Sequence, residues 1–311
     1  MYFIDGHCDS LTQALSNGED LLSRQGHLNI EKLTQFSPAV QVFAIWLNDA
    51  LLANAYESTL DVIGCAHEIF TRNSAQIRLA KSYCDVVGNI GDVVCSAILG
   101  VEGGEPIGSD IERLYDLKSR GLRVLTLTWN RNNELSGSIA IPNAEGLSDF
   151  GREVVRECGR IGILVDVSHI SLRGFWDVAE TSKLPFFASH SNCKALASHK
   201  RNLDDKQIRS IANSGGVAGI NFCDAFLSDS PNPDMDDVLC HISHLINTGG
   251  VECAALGGDL DGISDPGSGW FSDVTIYGLL YERLSKLHGS LSADKIFFGN
   301  YLRLFKDVFT K

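Results

Sequence analysis

Eight short runs rich in apolar and β-branched residues recur along the chain, and their regular return limits what it can fold into. They are "MYFIDGH" (1–7), "AVQVFAIWL" (39–47), "VVCSAILGVE" (93–102), "LRVLTLTW" (122–129), "GILVDVSH" (162–169), "LPFFASH" (184–190), "GGVAGINF" (215–222) and "CAALGGD" (253–259). Most are separated by segments with helical periodicity, such as "SDFGREVVRECGRI" (148–161), opened by Ser148 as a cap, and "LDDKQIRSIANSG" (203–215), closed by glycine. Eight strand and helix units in 311 residues predict an α/β fold of the (β/α)8 TIM-barrel type, better than a doubly wound sheet split into two domains. No linker rich in proline, glycine or serine marks a boundary, so residues 1–311 are expected to form one barrel domain. The interval 48–92 is long for one crossover and is expected to carry two helices.

Composition removes several classes of function. A formal charge of -13 argues against nucleic acid, whose phosphates need a basic face. No window approaches the ~18 uninterrupted apolar residues that span a bilayer, and the N-terminus lacks a secretory pattern, so a cytoplasmic location without a membrane partner is expected. Nine cysteines are scattered without any C-x-x-C spacing, which reads as reduced thiols rather than a disulfide framework or a cysteine zinc site.

In barrels of this type the chemistry sits at the carboxyl ends of the strands. Here His7 and Asp9 end the first run, Glu102 the third, His169 the fifth, His190 the sixth and Asp259 the eighth. Strand side chains alternate faces, so His7 and Asp9 are expected to point together into the barrel and Cys8 toward the helical layer. Imidazole nitrogen and carboxylate oxygen are a ligand set for hydrolytic zinc, and three histidines with three acids suffice for two metals sharing a bridging carboxylate. Two such ions about 3.5–4 Å apart would bring a water held between them near neutrality as a nucleophile, with no need for an activated Ser or Cys.

Other motifs favour plainer readings. Glu102 in "GVEGGEPIG" fails the G-x-G-x-x-G spacing of a phosphate loop, and its charge would repel phosphate. "DLDGISDPGSGW" (259–270) begins like a calcium loop, but its twelfth position is Trp270, so Asp261 is expected only to cap the following turn. "HISH" (241–244) is expected to be a solvated helix face, and His199 to orient the loop carrying Arg201.

Taken together, "DGHCDS" (5–10), "GVEGG" (100–104), "DVSH" (166–169), "SHSN" (189–192), "HKRNLDD" (199–205), "GGVAGINF" (215–222), "GGDLDG" (257–262) and "GNYLRLF" (299–305) resemble the membrane (renal) dipeptidase family of the amidohydrolase superfamily. The match runs in order over nearly the whole chain. This resemblance implies that His7 and Asp9 bind one zinc, that His169 and His190 bind the other, and that Glu102 bridges the two Zn2+. It further implies that Asp259 moves a proton from the attacking water to the leaving amine. Arg201 would grip the free carboxylate of a small dipeptide through a two-pronged hydrogen bond. The family often forms homodimers, so a homodimer is an expectation too. A lone buried histidine is more often structural than a ligand, but the joint placement of these residues with H-x-D reverses that reading.

One departure is plain. Where the family's dipeptidases carry a substrate-binding histidine after the fourth strand, this chain has Trp129, and no histidine occurs between His67 and His169. Asn130 or Asn132 is the candidate replacement donor to the scissile carbonyl, and Trp129 is either a core residue or, by its place at a strand end, a wall of the substrate pocket. The departure leaves two alternatives to a dipeptidase: an amidohydrolase acting on N-acyl amino acids, and a catalytically silent, metal-stabilised binding protein.

Overall fold

The computed structural model describes residues 1–265, 267 and 269–310; Pro266 and Ser268 of the glycine-rich stretch after the eighth run lie outside the described residues. Its strands are β1 (Ile4–Cys8), β2 (Val40–Trp46), β3 (Ile77–Leu79), β4 (Cys95–Glu102), β5 (Leu122–Thr126), β6 (Leu164–Asp166), β7 (Ala218–Ile220) and β8 (Ala254–Leu256). They are parallel neighbours in the order β6-β5-β4-β2-β1-β8-β7. The sixth apolar run spans the remaining gap without becoming a regular strand: Phe187 bridges to Asp166 and Ala188 to Ala218, closing the ring of eight staves.

The interval 48–92 holds the two expected helices, Ala55–Arg72 and Tyr83–Gly91, and between them the unexpected β3. This strand pairs with the first half of β4, while β5 pairs with the second half. Elsewhere the helix ends follow local chemistry. The Ser148 side chain accepts from Gly151 N–H to start the helix Asp149–Ile161, which stops at Gly162 in the left-handed region. Asp204 and Gln207 form a capping box for Asp205–Asn213.

Parallel strands covered on both faces bury nearly every residue, as all eight of β4 are. The core accordingly divides into two clusters. The outer one, which holds Phe3, Cys8, Phe43 and Leu99, lies between staves and helices. The inner one joins Ile4, Val40, Val42, Val124, Leu164 and Val217 to Tyr301, Leu304 and Phe305 of the C-terminal helix Asn300–Val308. That helix plugs the amino ends of the staves and leaves their carboxyl ends as the open mouth.

Strand β1 departs from simple alternation, and this aims the site. Ile4 pairs with Val40 and Asp5 with Gln41, but Cys8 pairs with Phe43, so β1 carries one residue more than β2 across this interval. That extra residue is a bulge. With Ile4 facing inward, strict alternation would turn Cys8 inward and His7 out; the bulge reverses the parity. Gly6 sits at the bend, where a Cβ would come 1.9 Å from Tyr301 Oη, so only glycine fits.

Candidate active site

At the open mouth the structure brings together His7, Asp9, Glu102, His169, His190 and Asp259, all buried. Glu102 is the centre: its Oε1 lies 3.1 Å from His169 Nε2, 3.5 Å from His190 Nε2 and 3.8 Å from His7 Nε2. His7 Nε2 is also 3.8 Å from Asp9 Oδ2 and 3.8 Å from Asp259 Oδ1. Two groupings of possible ligand atoms follow, Glu102 with His169 and His190, and His7 with Asp9 and Asp259, each within 4.8 Å of one another. Atoms of His7, Asp166 and His190 also lie within 4.8 Å of one another. Asp166, however, already accepts from Thr126 Oγ1, Ser168 N–H, Ser189 N–H and Ser189 Oγ, so we read it as a support rather than a ligand.

The donor set fits divalent cations. His7 Nε2 and Asp9 Oδ1 are buried without a hydrogen-bond partner, the state of ligand atoms awaiting a cation. The imidazoles facing them are held in the matching tautomer. His190 Nδ1 donates to Ser189 Oγ at 2.6 Å, and that hydroxyl donates onward to Asp166. His169 Nδ1 donates to Asn130 Oδ1 at 3.0 Å. Both arrangements leave the Nε2 lone pairs for a metal, the support that ligating histidines usually receive.

The electrostatics say the same. Burial pushes the Glu102 carboxyl well above its ordinary range, and the charges of Asp9 and Asp259 push it further while His7 opposes them. Asp259 is raised first by burial and then by Asp9. Burial alone would lower His7, yet Glu102, Asp9 and Asp259 together outweigh it and lift its pKa to about 10. His169 and His190 are driven well down, chiefly by burial, and also by the cationic Arg201 and His7. Three carboxylates crowd a dry space short of positive charge.

Around this cluster lies a cleft of about 430 Å³, lined by Asp9, Glu102, Trp129, Asn130, His169, Arg201, Phe226 and Asp259 among others. A larger groove of about 880 Å³ around Leu239, His244 and Leu287 touches none of the cluster. Arg201 is buried, its guanidinium 5.5 Å over the Phe226 ring; its Nη bonds to Ser191 Oγ and His190 O are long, at 3.4 Å each, and its Nε has no partner. His199 Nδ1 accepts from Arg201 N–H, so it does hold that loop. Trp129 stands edge-on to Trp46 at 5.1 Å, and Arg131 lies 5.2 Å over its ring. Asn132 is diverted: its Oδ1 accepts from Ser138 N–H, and it does not line the cleft.

Two sequence expectations need correction. His241 is not on a solvated face: it is fully buried, accepts from Cys193 N–H at Nδ1 and bonds Leu227 O through Nε2, a clamp between loops. Asp261 does more than cap a turn. It receives Ser10 Oγ, Arg24 Nη1 and the N–H groups of His27 and Leu28, tying the loop before residue 30 to the end of the eighth run.

Residues outside the sequence expectations support the candidate ligands. Asp5 is fully buried and accepts at Oδ1 from His7 N–H and Gln41 Nε2, and at Oδ2 from Gly258 N–H and Tyr277 Oη. It therefore holds the His7 amide that the bulge displaces from the ladder. The one signal for it in the sequence is an acid two residues before His7 in an otherwise apolar run. His169 and Asp259 both adopt positive φ, 66° and 58°, conformations that non-glycine residues rarely take outside constrained sites.

A parallel barrel with buried histidines and carboxylates converging at its carboxyl mouth defines a metal-dependent hydrolase. Residues 1–310 match the membrane dipeptidase family, peptidase family M19, and the chain belongs to that family of metallo-dipeptidases. It is 32% identical over 255 residues, 78% of this chain and 92% of the relative, to an uncharacterized protein in the pqqA 5' region of Klebsiella pneumoniae. Among solved structures it resembles the metallo peptidase dipeptidase AC, with a TM-score of 0.91 and 28% identity over 100% of this chain and 99% of that one. A metallo peptidase from Rhodobacter sphaeroides, liganded with a phosphinate mimic of the dipeptide L-Ala-D-Ala, superimposes with a TM-score of 0.89 and 27% identity over 99% of each chain.

Proposed function

We propose that this metallo-dipeptidase works with two zinc ions, one held by His7 and Asp9, the other by His169 and His190, with Glu102 shared between them. The observation that carries this reading is the position of Glu102 Oε1 within 3.8 Å of all three imidazole Nε2 atoms, beside the unpartnered His7 Nε2 and Asp9 Oδ1. Zinc bound there supplies Lewis acidity and a water acidified toward neutrality.

The chain's own residues supply the rest. Asp259 reaches into the cleft beside His7 and takes the proton of the attacking water, then returns it to the leaving amine. Arg201, whose buried Nε has no partner, binds the carboxylate of a dipeptide and sets the distance from chain terminus to scissile bond. Trp129 forms a wall of the pocket. Asn130 orients His169 through its Oδ1 and keeps its amide N–H available toward the scissile carbonyl. The nine free cysteines fit a reducing, cytoplasmic setting.

The test compares kcat/KM for L,L and L,D dipeptides with that for N-acyl amino acids of the same C-terminal residue. The dipeptides should be cleaved at least tenfold more efficiently. Preferential deacylation would move the substrate to acyl amino acids, and no cleavage of either would leave a silent binder.

A further inference from the structure

We propose that Asn221, directly after β7, is a positioning residue that decides which oxygen of Asp259 carries the proton in the reaction. Its side chain is fully buried, and its amide Nδ2 donates to Asp259 Oδ2 at 2.9 Å. The orientation of that amide is set by its other end, because Oδ1 accepts the backbone N–H of Cys223 at 2.7 Å. A flipped amide would turn its N–H groups against that backbone N–H, so Nδ2 must face Asp259.

The consequence is chemical. Oδ2 keeps a second lone pair beside the Asn221 N–H, but the oxygen of an O–H group is a much weaker acceptor than a carbonyl oxygen, so that bond favours the form in which Oδ2 stays unprotonated. A proton arriving at Asp259 is therefore held on Oδ1, the oxygen 3.8 Å from His7 Nε2 and facing the ligand cluster. In the hydrolysis, the attacking water gives its proton to Oδ1 as its oxygen bonds to the carbonyl carbon. The same proton passes to the leaving nitrogen as the C–N bond breaks, giving a free carboxylic acid and a free amine. Without the Asn221 donor, the proton can rest on Oδ2, turned away from the substrate, and the second transfer is lost.

Asn221 is itself clamped. Asn192, two residues beyond His190, accepts Asn221 N–H at Oδ1 (2.8 Å) and donates from Nδ2 to Asn221 O (2.9 Å), as a backbone neighbour would. This side chain supplies ladder bonds just past β7, where the regular pairing has ended. It joins the loop carrying His190 to the end of β7, and Asn221 joins β7 to Asp259. Asp259 itself has a left-handed backbone, with φ of 58°.

This inference rests on Asp259 being the proton carrier, and the experiment separates the two claims. Asn221→Asp keeps the acceptor for Cys223 N–H but puts in place of the neutral donor a carboxyl that competes with Asp259 for the proton; Asn221→Ala removes donor and acceptor. Zinc content, thermal melting, kcat and KM on a dipeptide are measured for these variants, for Asp259→Asn, and for the double variant Asn221→Ala/Asp259→Asn. The expected result for Asn221→Asp is unchanged zinc content, KM within about threefold and kcat lower by about 10- to 100-fold, the range for residues that orient catalytic groups. The double variant should turn over no more slowly than Asp259→Asn alone, because Asn221 acts only through that carboxylate. If Asp259→Asn is inactive while Asn221→Asp keeps full kcat, the positioning role is wrong and the proton-carrier reading stands. If Asp259→Asn keeps full turnover, the proton-carrier reading itself is wrong. Loss of zinc or of folding in Asn221→Asp, with kcat per bound zinc unchanged, assigns Asn221 to structure and overturns the proposal.

Discussion

Replacing Asp5 by asparagine changes a single atom at a fully buried position, yet it should cost both stability and metal affinity. The carboxylate receives donors on both sides: His7 N–H and Gln41 Nε2 at 2.9 Å each on Oδ1, and Gly258 N–H at 2.8 Å with Tyr277 Oη on Oδ2. Whichever oxygen becomes an amide nitrogen, it then faces a backbone N–H that cannot turn away. Gln41 can flip to present its unpartnered Oε1, and the Tyr277 hydroxyl can rotate, so one backbone donor is left unmet. A stranded buried donor costs about 1–3 kcal/mol, and each remaining bond weakens by about 1 kcal/mol when its acceptor loses the charge. With two bonds left on the other oxygen the sum, about 3–5 kcal/mol, is a large part of the ~5–15 kcal/mol that holds a typical domain together. The assay is urea unfolding of chelator-treated protein, read as a midpoint shift at constant slope, together with zinc titration of the folded variant. Because Asp5 anchors the His7 amide and the Gly258 amide beside Asp259, zinc affinity should fall by about 10- to 100-fold. A loss under 1 kcal/mol with unchanged zinc affinity would refute the assignment of Asp5 as the anchor of the bulge.

Arg201→Lys keeps the charge but removes the planar fork, so KM for dipeptides should rise about 10- to 100-fold with a smaller change in kcat; equal loss in kcat would place Arg201 in the chemical step. In metal-free protein His7 holds a proton with a pKa of about 10 against its ordinary 6.5, so zinc uptake at pH 7 should release protons, measurable by calorimetry in buffers of different ionisation enthalpy. A raised imidazolium pKa means the folded form holds that proton more tightly than the unfolded one. Its stabilisation is complete below 6.5 and lost as pH rises through about 10, so metal-free protein should melt lower across that window than below it. Gly6→Ala places a Cβ 1.9 Å from Tyr301 Oη and should destabilise by roughly 1–3 kcal/mol, partly recovered by adding Tyr301→Phe, as thermal melts can show.

The barrel was legible because staves covered on both faces read as continuous apolar runs, and even residues 184–190 showed this pattern though they form only bridges. Strand β3 gave no such signal: three residues with Arg78 at the centre carry no periodicity. The convergence of His7, Asp9, Glu102, His169, His190 and Asp259 on one mouth followed from their places at the ends of runs. The bulge in β1 did not, because it exists only relative to β2, and the inward aim of His7 depends on it. Asp5 showed only as an acid in an apolar run, and Asp166 and Asn221 were invisible for a related reason. Their work is done through hydrogen bonds to residues distant in sequence, which leave no spacing to read. His241 misled because two histidines three residues apart look like an exposed helix face, while its actual partners, Cys193 and Leu227, lie on other segments.

The most direct test of the central claim is amino-acid release from dipeptides by metal-free protein titrated with zinc, with Asp259→Asn carried through the same titration. The account predicts that turnover rises with added zinc until two equivalents are bound and that the variant binds the same two equivalents without turnover. Full turnover at one equivalent, or two bound equivalents with no release from any dipeptide, would contradict it.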